Sequence, residues 1–210
     1  MNLTFFNTLK IRLKENDNGY KFHQNFLPKN RDFFSVTDKK ALNYRKSAVL
    51  ILLYYKEDRL KSILIERSTY NGAHSGQISL PGGKFEIEDI NIINTAIRET
   101  FEEIGVATTS MDIIGALSPV AIPISQFALY PFISLINFVP DIRKDINEVL
   151  NTIEFDVMDF IENATIQEYK VHAIDRELLV PGFLINGHIV WGATGMVLNE
   201  FREIALMSLK

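Results

Sequence analysis

The segment from Pro81 to Val106, PGGKFEIEDINIINTAIRETFEEIGV, constrains this chain most, because it joins a glycine pair to a helical pattern crowded with carboxylates. From Asp89 to Ile104 the period is helical, with Asp89 as the expected N-cap and Gly105 as the left-handed residue that ends the helix. We expect one side of this helix to pack on the core, since the apolar residues gather there: Ile90, Ile93, Ala96, Ile97, Phe101 and Ile104.

Three glutamates, Glu99, Glu102 and Glu103, fall on the opposite side of the predicted helix. Like charges at this spacing repel by roughly a few tenths of a kcal/mol per pair, and the last two also lie near the negative end of the helix dipole. Arg98, four residues before Glu102, offsets part of this repulsion. Spacing alone leaves two interpretations open, a solvated acidic face and a divalent-cation site. Oxygen ligands on one helix face suit Mg²⁺ or Mn²⁺, which keep waters and bridge to substrate phosphates.

Composition narrows the class of protein. With 210 residues and 47% hydrophobic content, we expect one domain spanning residues 1–210. The net charge of −4 and the lack of a basic run do not favour nucleic-acid binding. The absence of cysteine excludes a disulfide scaffold, a zinc-thiolate site and a cysteine nucleophile. The N-terminus lacks a signal-peptide pattern and no apolar run is long enough to span a membrane, so we expect a cytoplasmic protein without a membrane partner.

Helical and strand patterns alternate along the rest of the chain. Residues 1–45 are expected to form an amphipathic helix and a segment that wraps irregularly over the domain, followed by buried strands at Ser47–Tyr55 and Lys61–Ser68. Further strands are expected in MDIIGALSPV, FALYPFISLINFV and GHIVWGAT, a loop and short helix in EVLNTIEFDVMDFIENA, and a C-terminal helix in TGMVLNEFREIALMSL. These elements predict an α/β or α+β fold.

The segment resembles the signature of the Nudix hydrolases, G-x5-E-x7-R-E-U-x-E-E-x-G-U, in which U is a bulky apolar residue. Gly83 begins the match and RETFEEIGV, residues 98–106, ends it. The chain departs from the signature at Thr100, which replaces an apolar residue, and at Ile90, which stands where the signature has its isolated glutamate. Asp89 offers an acid one position early.

One branch of the family, the coenzyme A pyrophosphatases, is similar in having an aspartate after the glycine pair and an upstream motif, L-L-T-x-R-[SA]-x3-R-x3-G-x3-F-P-G-G. The stretch ILIERSTYNGAHSGQISLPGG keeps the motif at Arg67, Ser68, Gly76 and Pro81-Gly82-Gly83, and departs from it at Ile65, Gly72 and Leu80. Since other pieces of the chain also look like this branch, the resemblance covers most of the sequence. It implies a mixed β-sheet sandwiched between α-helices, with residues 82–106 forming a loop-helix-loop.

The resemblance also implies metal chemistry. A phosphoanhydride is shielded by negative oxygens, and Mg²⁺ or Mn²⁺ neutralises that charge and acidifies an attacking water. Glu99 and Glu103 are the expected metal ligands, and Glu102 is expected to hold a second ion or orient the water. We expect Arg98 to orient a signature glutamate through a salt bridge, and the Gly82 backbone to approach the metal.

Substrate contacts implied by the same resemblance are less distinctive: Arg67, His74, Gly83, Ser125 and Phe127. An ordinary surface arginine, a loop histidine, a turn glycine and a core phenylalanine are the plain alternatives. The leading hypothesis is hydrolysis of coenzyme A or a derivative to 3′,5′-ADP and 4′-phosphopantetheine. A Nudix hydrolase of ADP-ribose or a dinucleotide, and a non-catalytic nucleotide sensor, are the alternatives. The sequence leaves the oligomeric state open, a homodimer included.

Overall fold

The computed structural model of the protein describes residues 3–16, 19–27, 35–68, 76–107, 112–173 and 176–210. Within these ranges, no helix is both long enough and apolar enough to cross a membrane.

Helices and strands alternate along the described chain. The helices are α1 (Leu3–Lys14), α2 (Tyr20–His23), α3 (Ile92–Ile104), α4 (Val157–Asn163) and α5 (Gly192–Ser208), with 3₁₀ turns at Gln24–Phe26 and Ile87–Asp89. The strands are β1 (Arg45–Lys56), β2 (Arg59–Arg67), β3 (Ile78–Ser79), β4 (Gly82–Lys84), β5 (Asp112–Ala116), β6 (Val120–Ile122), β7 (Phe127–Leu135), β8 (Val149–Asp156), β9 (Gln167–Ala173), β10 (Arg176–Ile185) and β11 (His188–Trp191).

Strand β1 is the centre of a mixed sheet that has eight strands within the described ranges. It runs parallel to β7, antiparallel to β2 at its end, and antiparallel to β4 at its beginning. Strands β3 and β8 pair with β2, and β5 and β6 pair with β7. A second, antiparallel sheet has the order β11-β10-β9. The short strand β4 therefore carries the glycine pair against the central strand.

Alternate residues of β1 face two separate hydrophobic cores, because successive side chains of a strand point to opposite faces. Val49, Ile51 and Leu53 belong to a core shared with α1, α4 and α5. Leu50 and Leu52 belong to a second core beneath α3. The expected architecture, a mixed sheet between helices, is confirmed.

A buried carboxylate attaches the N-terminal segment to the C-terminal helix. The Glu200 side chain on α5 is fully buried, and its Oε2 lies 2.7 Å from His23 Nε2. Asn16 donates to Oε1 at 2.6 Å, and the backbone N–H of Ser118 donates to the same oxygen at 3.0 Å. This network fixes the start of the wrapping segment, which contains the short helix α2.

Two expectations about secondary structure are wrong. VLNTIEFD forms strand β8 rather than a loop, and every second residue from Ile153 to Val157 is buried, a period-2 pattern. Helix α3 begins at Ile92, three residues later than expected. Strands β9 and β10 are also not expected from the sequence: β9 is largely exposed and polar and gives no apolar run, and Pro181 and Gly182 interrupt the apolar run of β10.

Candidate metal centre

Helix α3 begins and ends on local signals. Asn91 is its N-cap and accepts a hydrogen bond from the Asn94 N–H at 3.0 Å, so Asp89 is not the N-cap. At the other end Gly105 adopts φ 74°, and its N–H donates to the Phe101 carbonyl at 2.8 Å. The expected left-handed end of the helix is confirmed.

The predicted burial of α3 is largely wrong. Ile90 is 85% exposed and Phe101 is 52% exposed. Ile93, at 36%, is also exposed, and only Ala96 and Ile104 of the expected stripe are buried. The buried side of the helix instead consists of Thr95, Ala96, Thr100, Glu103 and Ile104. The helix therefore turns one carboxylate of the signature into the protein rather than toward water.

Asp89 reaches the helix through a tight turn at Ile90. Ile90 has φ 67° and ψ −46°, and the Asn91 N–H donates to the Asp89 carbonyl at 2.7 Å, which together define a positive-φ γ-turn. The turn brings the Asp89 carboxylate back to the Glu86 N–H at 2.9 Å and to the Thr95 hydroxyl at 2.7 Å. Asp89 therefore directs its carboxylate toward α3, although it stands one position earlier than the isolated glutamate of the signature.

Arg98 connects this carboxylate to two glutamates of the signature. Its Nε donates to Asp89 Oδ1 at 2.7 Å, and its Nη1 donates to Glu99 at 2.9 Å and to Glu102 at 2.8 Å. Its Nη2 donates to the Lys84 carbonyl at 3.0 Å. The salt bridges lower the pKa of Asp89 well below its usual range, the hydrogen bond from Arg98 being the largest cause. The salt bridge expected of Arg98 is thus present, and it orients Glu99.

Glu103 is buried at the junction of α3 and the glycine pair. Its side chain is 1% exposed, and the Gly82 N–H donates to Oε2 at 2.7 Å. Arg67 Nη1, at the end of β2, donates to Oε1 at 3.2 Å. Burial raises the pKa of Glu103 to about 8, although the Gly82 hydrogen bond and the Arg67 charge oppose the shift. The Gly82 N–H and Arg67 therefore do not fully compensate the negative charge of the buried Glu103 carboxylate.

The glycine pair permits a close approach of backbone to these carboxylates. Gly82 has φ 147°, and a Cβ there would collide with the Ala48 carbonyl. A Cβ on Gly83 would collide with the Glu99 carboxylate. Burial raises the pKa of Glu99, and Arg98 partly opposes this. Gly82 is therefore needed for the packing of β4 against β1, and Gly83 lets the Glu99 carboxylate lie against the β4 backbone.

A third carboxylate, Glu148, joins Glu99 and Glu103. One oxygen from each of the three lies within 4.8 Å of the others. Glu148 is not predicted from the sequence as a site residue, because it lies outside the signature and its position in the chain has no fixed spacing from the signature glutamates. It is brought in by the loop before β8, where the Asp145 N–H donates to the Glu103 carbonyl at 3.0 Å and the Ser68 N–H donates to the Glu148 carbonyl at 2.9 Å.

The other expected residues lie around this cluster or apart from it. Glu102 is 52% exposed and lies outside the cluster of three, held by Arg98. Ser125 and Phe127 lie at the turn between β6 and β7, where they contact Arg45. His74, together with Gly72, lies outside the described residues.

The three clustered carboxylates fit a hard divalent cation. They offer oxygen ligands only, and two of them have pKa values raised by burial, which a bound cation would reverse. The exposed side of Glu148 leaves room for waters and phosphate oxygens. Glu99, Glu103 and Glu148 would hold the ion.

Comparison with known proteins places this arrangement in a family. The NUDIX domain profile matches residues 44–176. Proteins named uncharacterized Nudix hydrolase NudL are similar: that of Salmonella dublin is 28% identical over 80% of this chain and 84% of its own length, and that of Klebsiella pneumoniae is 27% identical over 77% and 83%.

Solved structures show the same fold. RenU, a Nudix hydrolase from M. smegmatis, superposes with a TM-score of 0.54 at 13% identity, over 87% of this chain and 94% of that chain. The MutT protein from Methanosarcina mazei Go1 gives 0.50 at 17% identity, over 80% and 96%. Since the family profile spans more than half of the 210 residues, this protein belongs to the Nudix hydrolase family.

Proposed function

We propose that this protein hydrolyses the pyrophosphate bond of coenzyme A or its derivatives, giving 3′,5′-ADP and 4′-phosphopantetheine, with Mg²⁺ or Mn²⁺ as cofactor. The observation that supports metal-dependent hydrolysis is the cluster of Glu99, Glu103 and Glu148 beside the glycine pair. The choice of coenzyme A is supported by the upstream motif that contains Arg67 and Gly76. The expected cytoplasmic location belongs to the same proposal.

The residues of the cluster hold and orient the reacting groups. A divalent cation at this site would neutralise phosphate oxygens and lower the pKa of a water. Glu103 is fixed by the Gly82 N–H and Arg67, and Glu99 is fixed by Arg98, so both carboxylates are preorganised. Glu148 is exposed, so the cluster is open to solvent on its side.

Two further groups border the cluster and complete the proposed site. Glu102 is the candidate that orients the attacking water or holds a second ion, because it is exposed and shares Arg98 with Glu99. At Gly83 the Glu99 carboxylate lies directly against the β4 backbone, so a phosphate bound at the cluster would lie close to this glycine. Arg67, which contacts Glu103, is close enough to the cluster to meet a substrate phosphate as well.

A second substrate class has one specific observation in its favour. Gly72 stands where the coenzyme A branch has an arginine, which removes a cation that could contact substrate. A Nudix hydrolase of ADP-ribose or of a dinucleotide is therefore the alternative. A non-catalytic nucleotide sensor is disfavoured, because a binding protein has little use for clustered carboxylates that repel one another.

A panel of diphosphates tests the proposal. Purified protein is incubated with coenzyme A, ADP-ribose or diadenosine tetraphosphate, with Mg²⁺ or Mn²⁺, and the products are separated by chromatography. We expect 4′-phosphopantetheine and 3′,5′-ADP from coenzyme A, at a higher kcat/KM than for the other two. Glu103→Gln serves as the control against a contaminating enzyme. Faster cleavage of ADP-ribose or of the dinucleotide, with coenzyme A left intact, would select the alternative.

A further inference from the structure

Arg67, the last residue of strand β2, holds Glu103 with a single side-chain contact. Its Nη1 donates to Glu103 Oε1 at 3.2 Å, whereas hydrogen bonds between charged groups are usually about 2.7–2.9 Å long. Across the described residues no other acceptor receives a hydrogen bond from this guanidinium, and the side chain is 27% exposed. The contact is therefore loose, and most donors of Arg67 are available to another anion.

Arg98, which also lies at the cluster, is held much more firmly. Its guanidinium donates to three carboxylates and to one backbone carbonyl, at distances of 2.7–3.1 Å. A movement of Arg98 would break all of these hydrogen bonds, whereas a movement of the Arg67 side chain breaks one. Of these two arginines, Arg67 is therefore the one that can change its partner.

The backbone keeps Arg67 beside the cluster when its side chain moves. The Arg67 N–H donates to the Gln77 carbonyl at 3.1 Å, and the following N–H, that of Ser68, donates to the Glu148 carbonyl at 2.9 Å. Arg67 is also the pairing partner of Val149 on β8. A guanidinium released from Glu103 therefore stays within the length of its own side chain from the three carboxylates.

The two oxygens of Glu103 are held differently. The Gly82 N–H donates to Oε2 at 2.7 Å, and Oε1 receives only the longer bond from Arg67. A divalent cation bound by Glu103 and a guanidinium that donates to the same carboxylate repel each other, and at such short range the repulsion is large even in a water-like dielectric. Because the Gly82 bond does not depend on Arg67, the carboxylate keeps its orientation when the arginine leaves.

We infer that Arg67 and the divalent cation compete for Glu103, so that binding of the ion releases the guanidinium to a phosphate of the substrate. The inference rests on the proposed function, and it adds a coupling between ion and substrate at the same site. A phosphate accepts parallel hydrogen bonds from a planar guanidinium, whereas Glu103 receives only one. A phosphate between the ion and Arg67 also reduces their repulsion, so the two binding events favour each other.

The affinity for Mg²⁺ alone tests the competition without any substrate. Because the pKa of Glu103 is about 8, calorimetric affinities are compared in the range above this value where they no longer change with pH. Arg67→Gln removes the positive charge and keeps a hydrogen-bond donor, so it should bind Mg²⁺ about tenfold more tightly than the original protein. Arg67→Lys, which keeps the charge, should bind Mg²⁺ about as the original protein does.

An arginine that only positions Glu103 would have the opposite effect, because the loss of a group that orients a metal ligand weakens metal binding. Weaker or unchanged Mg²⁺ affinity in Arg67→Gln therefore overturns the inference.

Nuclear magnetic resonance of the unaltered protein tests the release of Arg67 without a substitution in the sample. The Nε–H signal of Arg67 is identified by its absence from the spectrum of Arg67→Lys. We expect this signal to shift when Mg²⁺ is added and to shift again when 3′,5′-ADP follows. The signal of Arg59 should stay in place. An Arg67 signal that Mg²⁺ leaves unchanged overturns the inference, whatever the affinities of the variants are.

Arg59→Gln is the matched control for the affinities, because Arg59 begins β2 and Arg67 ends it. Arg59 also has one acidic partner, with its Nη1 3.6 Å from Asp156 Oδ2. A strand rises about 3.3 Å per residue, so the two arginines are about 26 Å apart. Both substitutions remove one positive charge, but Arg59→Gln should leave the Mg²⁺ affinity unchanged. An equal gain in affinity in both variants would assign the effect to net charge and overturn the inference.

Nucleotide binding and turnover separate this inference from the proposed function. With saturating Mg²⁺, Arg67→Gln should bind 3′,5′-ADP about tenfold more weakly, the typical effect of losing a charged hydrogen-bonded pair, and unchanged binding overturns the assignment of the phosphate to Arg67. Hydrolysis of coenzyme A with a Mg²⁺ affinity independent of Arg67 overturns the inference and leaves the proposed hydrolysis standing. Tighter Mg²⁺ binding by Arg67→Gln, in a protein that leaves coenzyme A intact, supports the inference and overturns the proposed hydrolysis.

Discussion

Asp89 accepts a 2.7 Å hydrogen bond from Arg98 Nε, although the acid stands one position earlier than in the family signature. The γ-turn at Ile90 absorbs that one-residue difference by returning the carboxylate to α3. Arg98 in turn fixes Glu99 and Glu102. The departure at Asp89 therefore leaves the orientation of these glutamates intact. The unfavourable backbone conformation is confined to Ile90.

Replacing Asp89 tests this connection. Asp89→Asn removes one of the three charged partners of Arg98, the one outside the signature glutamates, so we expect hydrolytic activity to fall about 10- to 100-fold, the usual effect of losing a group that orients metal ligands. Asp141→Asn is the control, because Asp141 forms a 2.7 Å bridge with Arg143 in which both side chains are highly exposed. If both variants retained the original kcat/KM, the orienting role of Asp89 would be wrong.

The strain at Ile90 predicts an unusual effect on stability. A β-branched residue at φ 67° costs roughly 1–3 kcal/mol, and glycine adopts this conformation without a steric penalty. Ile90→Gly should therefore raise the melting temperature or leave it unchanged. Ile93→Gly, inside α3, should lower stability by about 1 kcal/mol or more. Thermal unfolding followed by circular dichroism compares the two, and a lower melting temperature for Ile90→Gly would contradict the prediction.

Glu103 should make the metal-free protein less stable at high pH. Its pKa is raised from 4.5 to about 8 in the folded state. The folded state thus binds the proton more tightly than the unfolded state, and the free energy of unfolding falls as pH rises between these two values. Glu103→Gln should abolish activity and, in EDTA, raise the melting temperature at pH 8 by at least about 2 °C.

The same pair of proteins provides the internal control at low pH. The difference in melting temperature should shrink as pH approaches 4.5, and Mg²⁺ should stabilise only the protein that keeps Glu103. A Glu103→Gln variant less stable than the original protein in EDTA at pH 8 would show that the buried charge is compensated in the folded state.

Glu200 predicts the opposite dependence on pH. Burial raises the pKa of its carboxyl, but the interactions with His23 and Ser118 outweigh this and the net pKa is lowered from 4.5. Its contribution to stability is therefore present above pH 4.5 and is lost as pH falls below that value. Glu200→Gln should cost roughly 3–5 kcal/mol near pH 7, because it breaks a buried network.

Urea unfolding at pH 7 and pH 3.5 measures this effect, and the difference between Glu200→Gln and the original protein should narrow at the lower pH. Gly19→Ala offers an independent check, since a Cβ there would collide with the Glu200 carboxylate. We expect it to destabilise the protein as well. A cost of Glu200→Gln that is equal at both pH values would rule out the charge as its cause.

Local sequence signals predicted the helix and strands that contain the site residues. They did not predict which side chains of α3 are buried. The apolar run in β1, the left-handed Gly105 and the C-terminal helix follow from period and capping and are confirmed. The burial of α3 could not be predicted from its apolar residues. The space beside Gly82 accepts Glu103, whereas Ile90 is left in solvent.

Contacts between distant segments account for the other differences. Glu148 meets α3 through the loop before β8, where the Asp145 N–H donates to the Glu103 carbonyl and the Ser68 N–H donates to the Glu148 carbonyl, contacts without a local sequence signature. Arg45 meets Phe127 because β1 and β7 are parallel neighbours, so Arg45 and Phe127 are pairing partners. The prediction of a single domain over residues 1–210 and the substrate roles of Arg67, Ser125 and Phe127 stay predictions.

The most direct test of the carboxylate cluster is a titration with Mn²⁺ followed by electron paramagnetic resonance, in which free and bound ions are distinguished. The protein should bind Mn²⁺, and Glu103→Gln and Glu148→Gln should each weaken binding about tenfold or more, because each removes a charged ligand. Glu162→Gln, which alters an exposed acid on α4, should bind as the original protein does. Equal Mn²⁺ affinity in all four proteins would contradict the assignment of Glu99, Glu103 and Glu148 as the metal centre.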